Sequence, residues 1–368
     1  AVSNYQQSLK IDPRDEITHN NLGNALRNLG RMDEAIDSYQ RALALKPNYP
    51  LAHYNLGLTL QDLGRLDDAV HSLEKTITLK PDYSDAYSTL GDVYKLLGRL
   101  EDALENYQKA LGYDSVPQGT SASLLECIYS REDKDGFYQE LERIATHDKT
   151  NIGIAAISAF AAHQFRRDNP YPFCFDPMNF ISVGNVTTAK TKERAELLCD
   201  LRQQTREIEL DIRNQALLKG GTQSSGNLFY EPRGSVARLE TLLREEIAAY
   251  VAKYTAESCL FIAQWPQKYT LKGWYIIMEQ GGHLDKHNHP TGWLSGVLYL
   301  QVPTRKGNEA NIEFGLHGKD LPILNHDYPK KTYQVTEGDL IMFPSSLFHR
   351  TMPFTEDRER LCIAFDVT

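Results

Sequence analysis

The sequence predicts a multidomain fold, in which an α-helical solenoid is followed by an α+β domain with an all-β core of the barrel or jelly-roll type. In the first third of the chain, glycine, alanine and proline positions recur every 34 residues. This period disappears after residue 117. From about residue 180, two helix-like segments lead into short runs of strand-like alternation, separated by Gly and Pro turns.

The solenoid is predicted from four recurring positions. They are occupied by Gly23, Gly57 and Gly91; by Gly30, Gly64 and Gly98; by Ala35, Ala69 and Ala103; and by Pro13, Pro47 and Pro81. Small residues let two antiparallel helices approach closely, and the proline ends each second helix because it cannot continue it. The pattern resembles the tetratricopeptide repeat, with full units at about 16–49, 50–83 and 84–117. Residues 1–15 resemble the second helix of an earlier unit.

Polar residues also recur on the first helix of each repeat. One row is Asn21, Asn55 and Thr89, and the next is Asn20, Tyr54 and Ser88. These rows have two interpretations: they hydrogen-bond the backbone of an extended peptide, or they are solvated positions and contacts between helices. The resemblance implies a concave surface formed by the first helices, so we expect a peptide or protein partner to bind there.

The rest of the chain is predicted to form two further parts. Residues 118–179 contain helix-like segments that cap the array and a linker rich in Pro and aromatic residues, "RRDNPYPFCFDPMNF". Residues 180–368 form the third part, with predicted helices at 190–218 and near 234–255. Its strand-like runs are "KGWYIIMEQ", "WLSGVLYLQVP", "ANIEFGL", "KTYQVTEGDLIMFPSS" and "RLCIAFDV".

Composition excludes some classes of function. The chain has 40 Lys and Arg against 49 Asp and Glu, a net charge of -9, so we expect no nucleic-acid partner. No apolar run is long enough to span a bilayer and no leader precedes the repeats, so we expect no membrane association. The five cysteines are scattered and form no disulfide framework, which favours a reducing, cytoplasmic location.

Two segments carry the chemistry. The first, "GGHLDKHNHPTGWLSGVLYL", places three histidines and one aspartate within seven positions, between two predicted strands. The second, "GDLIMFPSSLFHR", ends a strand at a Pro-Ser-Ser turn and places His349 just beyond it. Two such segments favour a metal site over solvated loop residues. His317 and His326 lie in a Gly-, Lys- and Asp-rich stretch and are interpreted as loop residues.

Together these segments resemble the Fe(II)- and 2-oxoglutarate-dependent oxygenases, whose core is a double-stranded β-helix of the jelly-roll or cupin type. The resemblance covers about 180–368, and "KGGTQSSGNLF" (219–229) resembles a Gly- and Gln-bearing loop of one branch. It implies Fe(II), 2-oxoglutarate and O₂ as cofactor and cosubstrates. Three protein ligands on one face of a non-haem iron leave three positions, enough for a bidentate 2-oxo acid and dioxygen.

The resemblance also implies which residues bind the metal, with one departure. The family has a His-x-Asp/Glu pair and a distal His, whereas His287 is followed here by His289. The predicted ligand set is therefore His287, His289 and His349. His283 and Asp285 are an alternative His-x-Asp pair. In a third possibility His287 and His349 ligate alone, with water, as in aspartyl/asparaginyl β-hydroxylases, which also couple these repeats to this fold.

A basic residue beyond the distal histidine is implied to bind the far carboxylate of 2-oxoglutarate as a bidentate pair. Arg360, at the start of the last strand, is the predicted residue, and Arg358 is its competitor. By period-2 alternation Ser295 shares one strand face with Tyr299, so Ser295 is a candidate donor to the 2-oxo acid. Tyr275 is a further candidate on the preceding strand.

The predicted function is a 2-oxoglutarate-dependent dioxygenase that hydroxylates a peptide or protein side chain recruited by the repeats. Catalysis by such a site belongs to the metal and cosubstrate, while the protein supplies position, charge and exclusion of water. Two alternatives stay open. One is a small-molecule oxygenase whose repeats dock a partner, and the other is a catalytically silent scaffold that binds metal.

Overall fold

The computed structural model describes residues 1–188, 191–207, 212–213, 217–304, 307–318 and 321–368. They form two compact units, Ala1–Phe137 and Tyr138–Thr368. The boundaries predicted at residues 117 and 179 stay predictions.

The first unit is the predicted helical array. Its helices are α1 (Val2–Ile11), α2 (Glu16–Asn28), α3 (Met32–Leu45), α4 (Pro50–Asp62), α5 (Leu66–Leu79), α6 (Ser84–Leu96), α7 (Leu100–Leu111) and α8 (Thr120–Ser130). The helix α9 (Lys134–Ala145) crosses the boundary between the units. Pro47 and Pro81 stand two residues after α3 and α5, as expected of residues that cannot continue a helix.

The two glycine positions of the repeat have different physical causes. A Cβ on Gly23 would lie 2.5 Å from the ring of Tyr39, and one on Gly91 would lie 2.6 Å from that of Tyr107. This glycine therefore gives a large residue of the second helix room to pack. The other position, at Gly30 and its equivalents, has φ of +72 to +75°, a turn conformation that favours glycine.

Five of the six residues in the polar rows on the first helices make contacts between helices. Three hydrogen bonds join neighbouring first helices: Asn55 Nδ2 to Asn20 Oδ1 at 2.9 Å, Ser88 and Thr120 hydroxyls at 2.8 Å, and Tyr54 and Thr89 hydroxyls at 3.5 Å. Asn20 is completely buried. Of the two interpretations of the sequence, packing between helices is the one that the structure supports for these residues.

Among the described residues, the helices of the second unit all precede Leu271, and three short strands (Ser182–Asn185, Ile212–Arg213 and Leu218–Ser224) lie between them in the chain. These helices are α10 (Ile152–Phe165), a 3₁₀ helix (Pro177–Phe180), α11 (Thr191–Glu207), α12 (Gly234–Lys253) and the short α13 (Leu260–Ala263). The side chain of Gln164, at the end of α10, donates to the carbonyl of Asn325 and accepts from the N–H groups of Leu324 and Asn325, all at 2.8 Å. The apolar α10 is thereby fixed to a loop of the β-domain.

One predicted helix is shorter than expected. The sequence predicts a helix over 190–218, but α11 ends at Glu207 and is followed by strand residues. Residues 190, 208–211 and 214–216 of the predicted helix lie outside the described residues. The difference has a topological cause, because Ile212–Arg213 pairs with a strand that begins at Leu218.

The β-domain is a curled antiparallel sheet of the jelly-roll type, as the sequence predicts. Its strands are β1 (Ser182–Asn185), β2 (Ile212–Arg213), β3 (Leu218–Ser224), β4 (Leu271–His287), β5 (Leu294–Gln301), β6 (Ile312–Gly315), β7 (Lys330–Tyr333), β8 (Asp339–Pro344), β9 (Phe348–Thr351) and β10 (Arg360–Val367). The order is β1-β8-β5-β10-β4-β9-β6-β7, with β3 paired to β4 and β2. The long β4 pairs with β10 through its first half and with β9 near its end, which brings two distant parts of the chain together.

Two expectations about the chain's surroundings concern its helices and cysteines. Among the described helices, none combines the length and apolar character that crossing a membrane requires. The five cysteines are free thiols, with Cys199 exposed and the other four buried.

Candidate metal centre

Three histidines converge at the end of β4. His287 is the last residue of β4 and faces His349 of β9 as its direct cross-strand partner, so both rings lie on one face of the sheet. His289 follows in the loop. The ring centroids are 4.3 Å apart for His287 and His349, and 5.2 Å from each of them to His289. One ligand atom from each ring lies within 4.8 Å of the others, a spacing that fits a shared metal ion.

Hydrogen bonds orient all three rings in the same way. The Nδ1 atoms face the carbonyl of Asp285 at 2.7 Å from His287, the carboxylate of Asp366 at 2.6 Å from His289, and the carbonyl of Leu347 at 3.4 Å from His349. A carbonyl or carboxylate oxygen only accepts, so Nδ1–H is the donor in each case. In a neutral ring the lone pair is then on Nε2, which is the arrangement found around metal-binding histidines.

Two of the rings, those of His287 and His349, are held in their neutral form. Burial and, to a smaller extent, the neighbouring His289 lower the pKa of His287 to about 4. Burial, with the two other histidines, holds the pKa of His349 well below its usual range. At neutral pH these imidazoles therefore offer lone pairs rather than protons, as metal ligands must.

The histidines line a cavity of about 50 Å³ whose wall also contains Arg360. Most of the wall is apolar and includes Trp274, Ile276, Met278, Val297 and Phe343. Arg360 is only 1% exposed, and its Nη2 donates to the hydroxyl of Tyr299 at 3.0 Å. Within the described chain no carboxylate lies at ion-pair distance from it, and its Nε has no hydrogen-bond partner. A buried cation in this state is suited to an anion that enters the cavity.

The alternative residues lie elsewhere. The side chains of His283 and Asp285 are 35% and 43% exposed, and neither belongs to the histidine cluster. Arg358 is on the surface, where it pairs with Glu337 at 2.7 Å. Tyr275 alternates with the cavity-lining Trp274 and Ile276 along β4, so its ring is on the opposite face of the strand.

Ser295 is on the predicted face but makes a different contact. It shares the inner face of β5 with Tyr299, yet it does not line the cavity. Its hydroxyl donates to Asp366 at 2.7 Å and lies 2.8 Å from the hydroxyl of Ser345. The hydroxyl of Ser295 is therefore engaged by Asp366 and does not point into the space in which a 2-oxo acid would bind.

Two polar residues were missed by the sequence reasoning. Asp366 was not singled out, although period-2 alternation from Arg360 places it on the same face of β10 and it is acidic within the apolar run "RLCIAFDV". Gln223 lies in the Gly- and Gln-bearing loop that the resemblance noted. Its Oε1 is buried and has no partner among the described residues.

The histidines are also reached from a second side. An open cleft shares Gln223, Trp274, His287 and His289 with the enclosed cavity. Polar side chains form much of its wall, among them Ser225, Asn227, Lys272, Asn288 and Thr291. The site therefore has an enclosed, mostly apolar side that ends at a buried arginine and an open, polar side.

Comparison with protein families agrees with both halves of the chain. Residues 272–366 match the family described as "Putative 2OG-Fe(II) oxygenase". Residues 4–37, 23–64 and 50–114 match three models of the tetratricopeptide repeat. No curated protein matches the chain.

Solved structures similar to this chain are repeat proteins. YrrB, described as a TPR protein with an unusual peptide-binding site, is 17% identical, with 45% of this chain and 86% of that one covered and a TM-score of 0.39. PilF of Pseudomonas aeruginosa is 21% identical, with coverages of 44% and 74% and a TM-score of 0.39. MamA of Desulfovibrio magneticus RS-1 (residues 41 to the end) is 24% identical, with coverages of 39% and 81% and a TM-score of 0.37.

Proposed function

Because the chain carries tetratricopeptide repeats followed by a C-terminal domain of the 2OG-Fe(II) oxygenase type, we propose that it is a dioxygenase that hydroxylates a peptide or protein side chain. The observation that carries the proposal is one cavity with three converging imidazoles and a buried arginine that pairs with no carboxylate of the described chain. The three imidazoles fit a divalent metal, and the arginine fits a carboxylate.

His287, His289 and His349 hold the metal. Their Nδ1 protons are engaged, so each ring presents Nε2. Bound Fe(II) supplies the oxidising chemistry, in which 2-oxoglutarate is decarboxylated to succinate with O₂ and a C–H bond of the second substrate is hydroxylated. The chain's own contribution is a set of rings that their hydrogen bonds already orient for binding the ion.

Arg360 binds the far carboxylate of 2-oxoglutarate. Its guanidinium is fixed by a 3.0 Å hydrogen bond to the hydroxyl of Tyr299. The Cζ atom of the guanidinium lies 4.9 Å from the centre of the Tyr299 ring. A preoriented guanidinium forms a bidentate pair with a carboxylate at little entropic cost. The apolar wall strengthens this interaction by excluding water, and it leaves the carboxylate no competing cation among the residues that line the cavity.

The second substrate approaches through the open cleft. The cleft shares two histidines with the cavity and has Gln223 and Trp274 at the junction. The unengaged Oε1 of Gln223 can accept a hydrogen bond from an amide N–H. Polar amides and hydroxyls along the cleft suit a peptide, whose backbone needs donors and acceptors at regular intervals.

The repeats recruit that peptide or its parent protein. The first helices present exposed apolar side chains, Ile17 on α2, Leu51 on α4 and Leu96 on α6. Exposed apolar residues on repeat helices are suited to a protein partner, and the repeats themselves hold no cluster of metal ligands in the described chain.

Succinate release tests the proposal. Purified protein is loaded anaerobically with Fe(II), then given 2-oxoglutarate and O₂ with and without a peptide library. We expect slow succinate formation alone and faster formation with a subset of peptides, with a mass gain of one oxygen atom on them. Stimulation by small metabolites but by no peptide would indicate the small-molecule alternative. Bound iron with no succinate under any condition would indicate the silent scaffold and overturn the proposal.

A further inference from the structure

The cavity of this protein lacks a negative charge that the resembled family places on the metal. Position 289 is His where that family has Asp or Glu, and imidazole leaves the charge of a divalent ion unreduced. The side chains that line the cavity include no carboxylate but do include the cation Arg360. Three neutral ligands would therefore hold a dication inside an apolar, already cationic space, an arrangement that costs free energy.

A carboxylate is nevertheless built in directly behind His289. Asp366 is 7% exposed, and its Oδ1 accepts from Nδ1 of His289 at 2.6 Å and from Ser295 at 2.7 Å. The hydroxyl of Ser345 lies 2.8 Å from that of Ser295, and the carbonyl of Ser345 accepts from the backbone N–H of His289 at 3.0 Å. The same few residues thus fix both the ring and the backbone of His289.

The fit around this carboxylate is tight. A Cβ on Gly292 would lie 2.6 Å from Oγ of Ser345 and 3.3 Å from Cγ of Asp366, so only glycine is accommodated there. Asp366 and Ser295 are also direct cross-strand partners on β10 and β5, which fixes their distance through the sheet. The carboxylate is therefore held in one position rather than free to turn toward solvent.

We propose that Asp366 is a positioning residue that supplies, through His289, the negative charge that a carboxylate ligand supplies directly in the resembled family. The inference rests on the proposed function, because it assumes that His289 binds the metal. Nδ1 and Nε2 are on opposite sides of the ring, so Asp366 is not itself a ligand. A carboxylate on Nδ1–H makes an imidazole a stronger donor through Nε2 and adds one negative charge near the ion.

This assignment also gives Ser295 a role that the sequence did not predict. Its hydroxyl orients the carboxylate toward His289, and Ser345 in turn orients that hydroxyl. Charge and orientation then come from different residues. They can be separated experimentally, because Asp366→Asn removes the charge and keeps the shape, whereas Ser295→Ala keeps the charge and removes one hydrogen bond.

The test is the affinity of the full-length protein for Co(II), a probe stable in air, measured by competition with a chelator. We expect Asp366→Asn to weaken Co(II) binding by about 10–100-fold, the usual effect of losing such a partner. Its amide oxygen can still accept from both His289 and Ser295. We expect Ser295→Ala to weaken binding only a few-fold, and the Co(II) absorption bands to shift in the Asn variant but not in the Ala variant.

The outcomes separate this inference from the proposed function. Equal Co(II) affinity and spectrum in the wild type and Asp366→Asn overturn the inference alone. Equal losses in both variants also overturn it, because hydrogen bonding rather than charge would then be at work. A wild-type protein that binds neither Co(II) nor Fe(II) overturns the proposed function. Circular dichroism checks folding, and Asp366→Glu, which keeps the charge in a longer side chain, is expected to retain more affinity than the Asn variant.

Discussion

Buried polar side chains of the repeat array form hydrogen bonds with one another. In the β-domain cavity, by contrast, several polar side-chain nitrogens have no protein partner among the described residues. In the array Asn55 donates to Asn20 at 2.9 Å, and the hydroxyl of Tyr107 donates to Asp92 at 2.8 Å. In the cavity three imidazoles leave Nε2 free of protein partners in the described chain, and Nε of Arg360 is without one too.

The difference distinguishes two uses of the same residue types. A buried polar group normally has a partner, so an internal pair is explained by folding alone. In the described part of the first unit, the one buried side-chain atom without a partner is Nδ1 of His19, and no second such atom lies beside it. Several unsatisfied groups around one cavity are not explained by folding and indicate binding.

The largest expected effect is the loss of the metal. We expect His349→Ala to abolish stoichiometric binding of Fe(II) and Co(II), because one of the three clustered rings is removed. Metal content after gel filtration is the measurement. Asn55→Ala, which removes a buried amide from the array, is the control and should bind metal as the wild type does. Unchanged metal stoichiometry in the His349 variant would show that the cluster is not the site.

The second-largest expected effect is on the binding of 2-oxoglutarate, without a loss of folding stability. We expect Arg360→Met to raise the 2-oxoglutarate concentration needed for half-maximal turnover by about 30–150-fold, since a lost charge-assisted contact costs about 2–3 kcal/mol. Without metal or cosubstrate, the same variant should unfold no more easily than the wild type, because a buried cation is replaced by an apolar chain of similar size.

Arg358→Ala is the matched control for that prediction. Its side chain is 47% exposed and pairs with Glu337 on the surface, so we expect neither the 2-oxoglutarate requirement nor the stability to change. If Arg358→Ala raised the requirement and Arg360→Met did not, the assignment of the carboxylate partner would be reversed.

In the repeat array, unlike in the cavity, removing one buried polar side chain should lower the stability of the fold. Asn55→Ala leaves the amide of Asn20 buried without its partner, which we expect to cost about 1–3 kcal/mol in the free energy of unfolding. Urea denaturation followed by circular dichroism measures it. The double variant Asn20→Ala/Asn55→Ala should recover part of the loss, because removing both partners leaves no unsatisfied group. A double variant as unstable as the sum of the single ones would mean that the pair contributes through packing instead.

Some of this contrast could be predicted from the sequence. The array was predictable because the two helices of each repeat pack in the same way. Gly23, Gly57 and Gly91 therefore recur wherever a large side chain of the second helix packs against the first. His287 and His349 could be selected as candidate ligands from two segments with metal-site spacing, but their pairing across two strands could not be predicted. Burial was not predictable, since a 34-residue period looks the same whether Asn55 contacts a peptide or another helix.

The other features of the site and fold depend on long-range contacts, which the periodicity of the sequence does not predict. Arg358 and Arg360 have the same parity along the chain, and only the start of β10 at Arg360 places one in the cavity. Asp366 also has that parity, but its partner His289 comes from a loop 77 residues away in sequence. The helix predicted over 190–218 ends early because pairing with β3, a long-range contact, overrides helical periodicity.

The smallest expected effect concerns the turn glycines of the array. At Gly98 φ is +72° and a Cβ would meet nothing within 4 Å, so substitution strains the backbone without any clash. We expect Gly98→Ala to cost about 1 kcal/mol in the free energy of unfolding and Gly98→Asn to cost less, because Asn tolerates this conformation better. Gly91→Ala should cost more, since its Cβ would lie 2.6 Å from the ring of Tyr107. The order Gly91→Ala, Gly98→Ala, Gly98→Asn in urea denaturation distinguishes close packing from backbone strain, and metal content should be the same in all three. Equal losses for Ala and Asn at position 98 would mean that left-handed strain does not set the cost there.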